Sequence, residues 1–511
     1  MPRIHPAWPL LTALLLSAGC AVGPDFRPES LSDATGFTPE PLPPSLVGGG
    51  EQQELRTGRD IPGDWWNLYK SPALDALVRR ALAANPSLDA AQAALRQARE
   101  NVYAQEGAYF PNVSGSFQTS RNKTATGSLS PNSASGKPYY NLQTAQLSVS
   151  FVPDVFGANR RAVESLAAQA TSQRFQLEAT YLTLISNLVT AAVQEASLHE
   201  QLDVTRRVIG FQQEGLRVLR KQKELGQVAG LDVFAQEAAL AQAQATLPPL
   251  EKQLVQQRNQ IAALSGRFPD QPPPETFRLA DLHLPADLPV SLPSAVLAQR
   301  PDIRQAEENA RAANAQIGVT IANRIPAINL TASIGSSPAI VEKLFSPGQG
   351  FFTLAGAVTQ PIFQGGTLLH RQRSAEAAFD QAQAQYRSTV LTAFQNVGDA
   401  LQALRTDANA VQATQAAEWA AAASLEIVRT QLRLGQVSYL ALLAAEQAYL
   451  QAGLTLAQAR ANRLSDAAGL MQALGGGWWN RTDVEVHDVE GQSLLGILGS
   501  RRPQAASHGE R

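Results

Sequence analysis

The feature that most constrains this chain is written twice in it. Leu225-Gly226-Gln227-Val228 is matched by Leu434-Gly435-Gln436-Val437. At the same offset Leu231, Ala235, Glu237, Gln242 and Ala243 are matched by Leu440, Ala444, Glu446, Gln451 and Ala452. Phe110-Pro111 has a counterpart in Ile325-Pro326, and Val152-Pro153 in Gln360-Pro361. Internal repetition is settled before single elements are assigned, because it fixes how many structural units the chain holds. Each unit here contains two strand-like runs and two long helical runs. The longest runs, 159–225 and 367–434, contain no proline. At about 1.5 Å per residue each predicts a helix on the order of 100 Å long. The helix following the first break ends near Leu264, and Pro248-Pro249 should kink or interrupt it. A helical face is also predicted over 72–106, with leucines at Leu74, Leu77, Leu82, Leu88 and Leu95, and another near 294–322.

The strand-like runs lie near 111–122, 140–152, 326–336 and 351–362. Ala145, Leu147, Val149 and Phe151 alternate with Gln146, Ser148 and Ser150, and Ile328, Leu330, Ala332 and Ile334 alternate with Asn329, Thr331 and Ser333. Period two marks strands with one apolar face. The Ser-, Thr-, Asn- and Gly-rich segment between the first two reads as an exposed loop. Four strands per chain leave two unpaired edges, which a bilayer does not tolerate. Several chains must share one barrel, and three copies give twelve strands. Strands of about ten to twelve residues suit a tilted transmembrane strand. Helices of such length then project as a stalk. Alanine lets neighbouring helices approach closely, glutamine and serine tolerate a wet interior, and sustained heptads of large residues, which a solid coiled coil needs, are missing.

Composition excludes several classes. Charged residues make up 17% of the chain, below the roughly 25% usual in soluble globular proteins. A net charge of −2 gives no footprint for nucleic acid. No stretch of about 18 continuous apolar residues follows the N-terminal region. The histidines are scattered without metal spacing, and no nucleophile elbow, phosphate loop or dinucleotide fingerprint occurs, so neither an enzyme nor a bound cofactor is expected. The single cysteine, Cys20, has its meaning set by position. Arg3 and His5 precede an apolar run from Ala7 to Ala18, which reads as a signal peptide over 1–19. The run ends in Leu15-Leu16-Ser17-Ala18-Gly19-Cys20, similar to a lipoprotein processing site except that Ser17 stands where leucine is usual. A diacylglycerol on the Cys20 sulfur and an acyl group on its amine are the expected covalent lipids. The resulting division is a signal peptide (1–19), a lipidated linker with little core (20–63), a first repeat (64–267), a connector (268–293), a second repeat (294–479) and a tail (480–511).

These features together resemble the TolC-like outer membrane efflux proteins, in the lipoprotein branch called NodT-type. Cys20-Ala21-Val22-Gly23-Pro24-Asp25-Phe26 followed by Pro28 is similar to that branch's mature N-terminus. Trp65-Trp66 with Leu74 and Leu77, then Asn85-Pro86, Leu88 and Gln97-Ala98-Arg99, resembles its first helical segment. Arg300-Pro301-Asp302-Ile303 with Ala306-Glu307, Pro361-Ile362-Phe363-Gln364-Gly365-Gly366 and Leu474-Gly475-Gly476-Gly477-Trp478 resemble later signatures in the right order. The resemblance covers residues 20 to 479. It implies an α+β membrane protein: a homotrimeric twelve-stranded transmembrane β-barrel continued by a long periplasmic α-helical barrel. It also implies residence in the outer membrane, efflux of small toxic compounds, and docking to a periplasmic adaptor and an inner-membrane transporter. The family's periplasmic end closes at helix tips. Here these are the turns holding Gly226, Gln227, Val228 and Asp232 in the first repeat and Arg433, Gly435, Gln436, Val437 and Tyr439 in the second. Family members often carry an Asp-Ala-Gln where this chain has Ala444-Ala445-Glu446-Gln447, so an aspartate ring at Ala444 is absent.

Two other function classes make different sequence demands. A periplasmic adaptor would show one helical hairpin flanked by small β domains, and a carbohydrate-acting enzyme would show paired acids in a compact cleft. Neither pattern is present. Replacing Cys20 by alanine is expected to remove the lipid, read as a loss of acyl mass in intact-protein mass spectrometry. An unchanged mass would overturn the processing site.

Overall fold

The computed structural model describes residues 21–28, 36–40, 43–123 and 139–481. Cys20, the signal peptide and residues 482–511 of the tail lie outside the described residues, as does most of the loop between the first two barrel strands. Helices follow in chain order as α1 (Pro72–Ala84), α2 (Pro86–Glu106), α3 (Ala158–Glu224), α4 (Gly230–Ala245), α5 (Leu247–Leu264), α6 (Pro293–Gln299), α7 (Pro301–Ala322), α8 (Thr367–Arg433) and α9 (Tyr439–Ala473). Strands are β1 (Ser45–Gly48), β2 (Glu51–Thr57), β3 (Asn112–Lys123), β4 (Tyr139–Phe151), β5 (Asp287–Val290), β6 (Ala327–Ser336) and β7 (Gly350–Thr359).

The repeat is kept in three dimensions. Helices α3 and α8 both contain 67 residues, about 100 Å at 1.5 Å per residue. Each opens on a glycine in the left-handed region, Gly157 at φ 77° and Gly366 at φ 82°. Each is followed by another, Gly226 at φ 73° and Gly435 at φ 71°. Side chains avoid that region because Cβ crowds the carbonyl, so glycine punctuates both ends. Proline decides the shorter breaks. The 230–264 run parts at Thr246, with Pro248 in the first turn of α5. The 72–106 run parts at Asn85, whose side-chain oxygen accepts the Ser87 N–H at 2.8 Å ahead of the Pro86 helix. The single helix expected near 294–322 likewise splits before Pro301. The fourth strand expected to 362 ends at Thr359, since Pro361 cannot donate to a ladder.

Strands β3, β4, β6 and β7 form one antiparallel sheet in that order. β4 pairs with β6 across the repeat boundary, Leu147 opposite Ile334. Among the described residues the outer edges of β3 and β7 have no strand partner.

The main hydrophobic core lies midway along the helices. Trp65, Tyr69, Leu74, Leu77, Leu188, Leu288, Leu401, Leu404 and Leu470 meet there, all fully or nearly fully buried. This region corrects the expectation of a linker with little core over 20–63. β1 and β2 form a hairpin, and β2 pairs in parallel with β5 from the Pro-rich connector, Glu54 opposite Asp287. Leu46 and Gln53 are buried. The hairpin is held by a cation. Arg463 of α9, itself buried, donates to the Gly48 carbonyl at 2.7 Å, to Gln53 Oε1 at 3.1 Å and to the Glu51 carbonyl at 3.4 Å. Gly48 passes so close to Ala408 that a Cβ would lie 2.3 Å from its carbonyl oxygen. A buried guanidinium without acceptors would be costly, and here the strap's backbone supplies them. Arg463→Ala strands these acceptors and is expected to destabilise the strap by about 3 kcal/mol. The readout is new protease cleavage between Gly48 and Gly58. Unchanged cleavage would show that the hairpin is held by packing alone.

Candidate functional site: the sheet wall and the helix tips

The sheet separates two chemistries by its pleat. Val113, Phe117, Leu147, Ile334, Phe352, Leu354 and Val358 occupy one face, as the registers across β3, β4, β6 and β7 dictate. All are exposed in the single chain, Phe352 and Leu354 at 82%. So large an uncovered apolar surface requires an apolar environment. The opposite face carries the row Ser114, Ser148, Ser333 and Thr353, flanked by Gln118, Thr144, Gln146, Asn329, Thr331 and Thr359. Short hydroxyls and amides with no charge suit a wet lumen. Tyr139 and Tyr140 are exposed at one end of the sheet and Tyr109 and Phe110 at the other, where interfacial aromatics sit in transmembrane barrels. Among the described residues no helix is long and apolar enough to cross a membrane.

The far ends of the long helices carry the predicted tip residues. Both turns are the same closed motif. The Gly226 N–H donates to the Lys223 carbonyl at 2.9 Å, and the Gln227 N–H to the Gln222 carbonyl at 2.9 Å. In the second repeat the Gly435 N–H donates to Leu432 at 3.0 Å and the Gln436 N–H to Gln431 at 2.9 Å. These paired bonds cap the last carbonyls of α3 and α8. Gly226, Gln227, Gly435 and Gln436 are exposed, and Val228 and Val437 are half-buried. Val228 packs on Leu216, Leu219 and Val233.

The structure joins some of the expected tip residues and leaves others apart. Tyr439 packs both on the Leu216–Leu219–Val233 cluster and on Leu425, Leu442 and Ala445, so it ties one hairpin to the other. Burial raises its phenol pKa, and the nearby Asp232 carboxylate raises it further. Asp232 and Tyr439 therefore share one locale. Arg433 does not join them: it is exposed and donates to Thr430 Oγ1 of its own helix at 3.1 Å. The offset that aligns Leu231 with Leu440 sets Ala441, and not Ala444, as the counterpart of Asp232.

The acid of the second hairpin is a residue that the tip motif did not single out. Glu446 is buried on α9 while Ala444 is exposed. Its carboxyl faces Gln212 of α3, which donates to it, and Arg429 of α8, and burial pushes its pKa up to about 7. Gln236 of α4 donates to the Gln212 carbonyl at 3.0 Å. Arg429 and Glu446 are the repeat partners of Arg220 and Glu237, which form an exposed ion pair at 2.8 Å. In the second repeat Arg429 instead lies 3.6 Å from the Phe211 ring centroid. The alignment of Glu237 with Glu446 was visible in the sequence, but the difference in burial was not.

Comparison with known proteins decides what this wall and these tips belong to. The family model for outer membrane efflux proteins matches residues 77–267 and 292–476. The chain belongs to the outer membrane efflux protein family. The two matched segments correspond to the two repeats. The pyoverdine export outer membrane protein OpmQ of Pseudomonas putida is 29% identical over 447 residues, covering 86% of this chain and 94% of that protein. The probable efflux pump outer membrane protein TtgC of Pseudomonas putida is 28% identical over 92% of this chain and 95% of its own length. The solved outer-membrane channel OprN superposes with a TM-score of 0.79 at 26% identity, covering 90% of this chain and all of that one. This outer membrane efflux protein is thus a channel component and not an enzyme, with its sheet in the outer membrane and its helices in the periplasm.

Glu446 gives the tip a pH dependence with a definite sign. Its carboxyl titrates near 4.5 when solvated and at about 7 in the fold. Between those values the folded hairpin holds a proton that the opened one releases, so closure weakens as pH rises toward 7 and stays weaker above it. Hydrogen exchange of residues 425–446 is expected to quicken from pH 5.5 to 8 beyond the intrinsic chemical rate. Glu446→Gln should flatten that extra dependence. Persistence of the full effect in the variant would assign it to another group.

Proposed function

We propose that three copies of this chain close one twelve-stranded barrel and form the passive exit duct of a tripartite efflux pump. The observation that carries this reading is the four-stranded sheet with free edges at β3 and β7, an apolar face and a polar one. Each free edge offers unpaired N–H and C=O groups that hydrocarbon cannot satisfy. Pairing β3 of one copy with β7 of the next removes both edges. The helices of three copies then line one periplasmic tube, with the Leu225–Ala229 and Leu434–Ser438 turns at its far mouth. Leu231, Phe234, Leu434 and Leu440 are exposed there. They suit a periplasmic adaptor that presents small apolar side chains and links the duct to an inner-membrane transporter. The uncharged hydroxyl-rich wall favours a permissive water-filled path, so cargo selection falls to the transporter. The same reading includes lipidation of Cys20. Its support is the course of residues 21–28 along α3 and α7 toward the sheet, where the Val22 N–H donates to the Phe156 carbonyl at 3.1 Å.

Purified protein in planar bilayers is expected to give stable single-channel conductance, and native mass spectrometry in detergent is expected to give a trimer. A cysteine pair placed on the outer edges of β3 and β7 should crosslink into a three-chain ladder. Silent bilayers together with a monomer in detergent would overturn the duct.

A further inference from the structure

The N-terminal segment points at a mostly apolar cavity. Residues 21–28 run between α3 and α7 in a fixed direction. The Phe26 ring meets the Arg311 guanidinium at 5.4 Å, the Pro24 carbonyl accepts from Asn314 at 2.8 Å, and Gly23 lies against the Gly318 backbone. Those α7 partners climb in order toward Ala322, where α7 ends and the sheet begins. Arg161, almost wholly buried, grips the segment from α3. It donates to the Val22 carbonyl at 3.2 Å and the Gly23 carbonyl at 3.3 Å, and pairs with Asp25 at 2.7 Å. Ala21 rests on Gly157, so closely that a Cβ there would lie 2.7 Å from the Ala21 Cα. At this end of the segment a cavity of about 250 Å³ opens between the sheet and the helices. Its walls are mostly apolar, with Phe156, Ala322, Ile325 and Ile328 among them, and include the polar Asp154 and Asn323. Phe156 and Ala158 flank the glycine on which Ala21 rests. Consecutive Cα atoms are about 3.8 Å apart, so a lipid on the residue before Ala21 starts one chain step from the residue that rests on that glycine.

We infer that this cavity seats one acyl chain of the lipid on Cys20, holding it against the protein at the junction of sheet and helices while the remaining chains enter the bilayer. The inference rests on the lipoprotein reading of Cys20. Most of the lining is aliphatic or aromatic, and the Asp154 carboxylate is occupied by the Asn159 and Arg160 N–H groups, so the apolar part of the cavity suits hydrocarbon better than water. Hydrocarbon moved there from water gains free energy, whereas transfer from bilayer gains little. Seating is therefore decided by the tether: the Arg161 grip and the Gly157 contact bring the chain to the cavity mouth. The occupant acts as a wedge between the β4–α3 and α7–β6 junctions, where the first repeat leaves the sheet and the second enters it.

Cells expressing the full chain are fed a fatty acid bearing a diazirine and an alkyne. Intact mass first establishes acylation of the purified protein in membrane-derived nanodiscs. Irradiation is then expected to crosslink the lipid to peptides containing 152–158 and 322–328. Ala322→Phe, which puts a ring into the cavity and narrows it, should abolish those crosslinks. Gly157→Val, which displaces Ala21, should also abolish them while leaving the cavity open. A chain without acyl mass would defeat the lipoprotein reading. Full acylation with crosslinks confined to bilayer lipid, or equal crosslinks in Ala322→Phe, would overturn the seating alone. Thermal unfolding provides the control for misfolding: both variants are compared as Cys20→Ala proteins, where the lipid is missing and the substitution acts on the fold alone. Loss of crosslinks in a variant whose Cys20→Ala form melts with the parent assigns the loss to the seat. If those forms melt early, the unsubstituted protein decides, by crosslinks at 152–158 and 322–328 or by their failure.

Discussion

Everything in this molecule depends on backbone hydrogen bonds that one chain cannot complete. Hydrocarbon offers no donors or acceptors, so every strand inside it must be paired on both sides. Among the described residues β4 and β6 have a strand on both sides and β3 and β7 on one only. The same constraint accounts for the side chains. A wall one strand thick has lipid on one side and water on the other, so apolar and polar residues must alternate without exception at its centre. The row of Ser114, Ser148, Ser333 and Thr353 backed by Leu147, Ile334 and Phe352 is that alternation in two dimensions.

The long helices follow from the wall. Each of α3 and α8 starts at a left-handed glycine just after a barrel strand and ends in a glycine-closed turn. Their equal length of 67 residues means that both repeats span the same gap between the same two planes. An insertion in one alone would put the tips out of register. Their low bulk suits this purpose. Ala191, Ala192 and Ala196 on α3 and Ala457, Ala461, Ala467 and Ala468 on α9 are buried, and small residues let long helices pack side by side without the large a/d knobs of a solid coiled coil.

The parts of this fold legible in the sequence are those set by local physics. Alternation at 145–151 and 328–334 reports a two-faced wall, and the proline-free runs with their glycine stops report the helices. The three-stranded strap was illegible because its pairing joins Glu54 to Asp287, far apart in the chain, and because Gln53 and the Gly48 carbonyl become buried only when Arg463 arrives to satisfy them. A segment rich in Pro, Gly and polar residues carries no periodic sign of such a rescue. At the tips the turns could be read from Leu-Gly-Gln-Val, but which side chains meet across them could not. Asp232 reaches the neighbourhood of Tyr439 through the packing of one hairpin on the other, and Arg433 stays apart through helix phase alone.

That phase also explains why duplicated letters need not mean duplicated roles. Arg220 and Glu237 form an exposed ion pair, of the kind that adds about 0–1 kcal/mol. Arg429 and Glu446 hold the same positions one repeat later but face inward, against Phe211 and Gln212 of α3. Burial makes the carboxylate expensive, so the proton takes the place that the arginine fills in the first repeat. The same pair of residue types is thus an exposed ion pair on one hairpin and a buried titrating contact on the other. In a tube whose mouth is built from both hairpins, it is the second that has a reason to move.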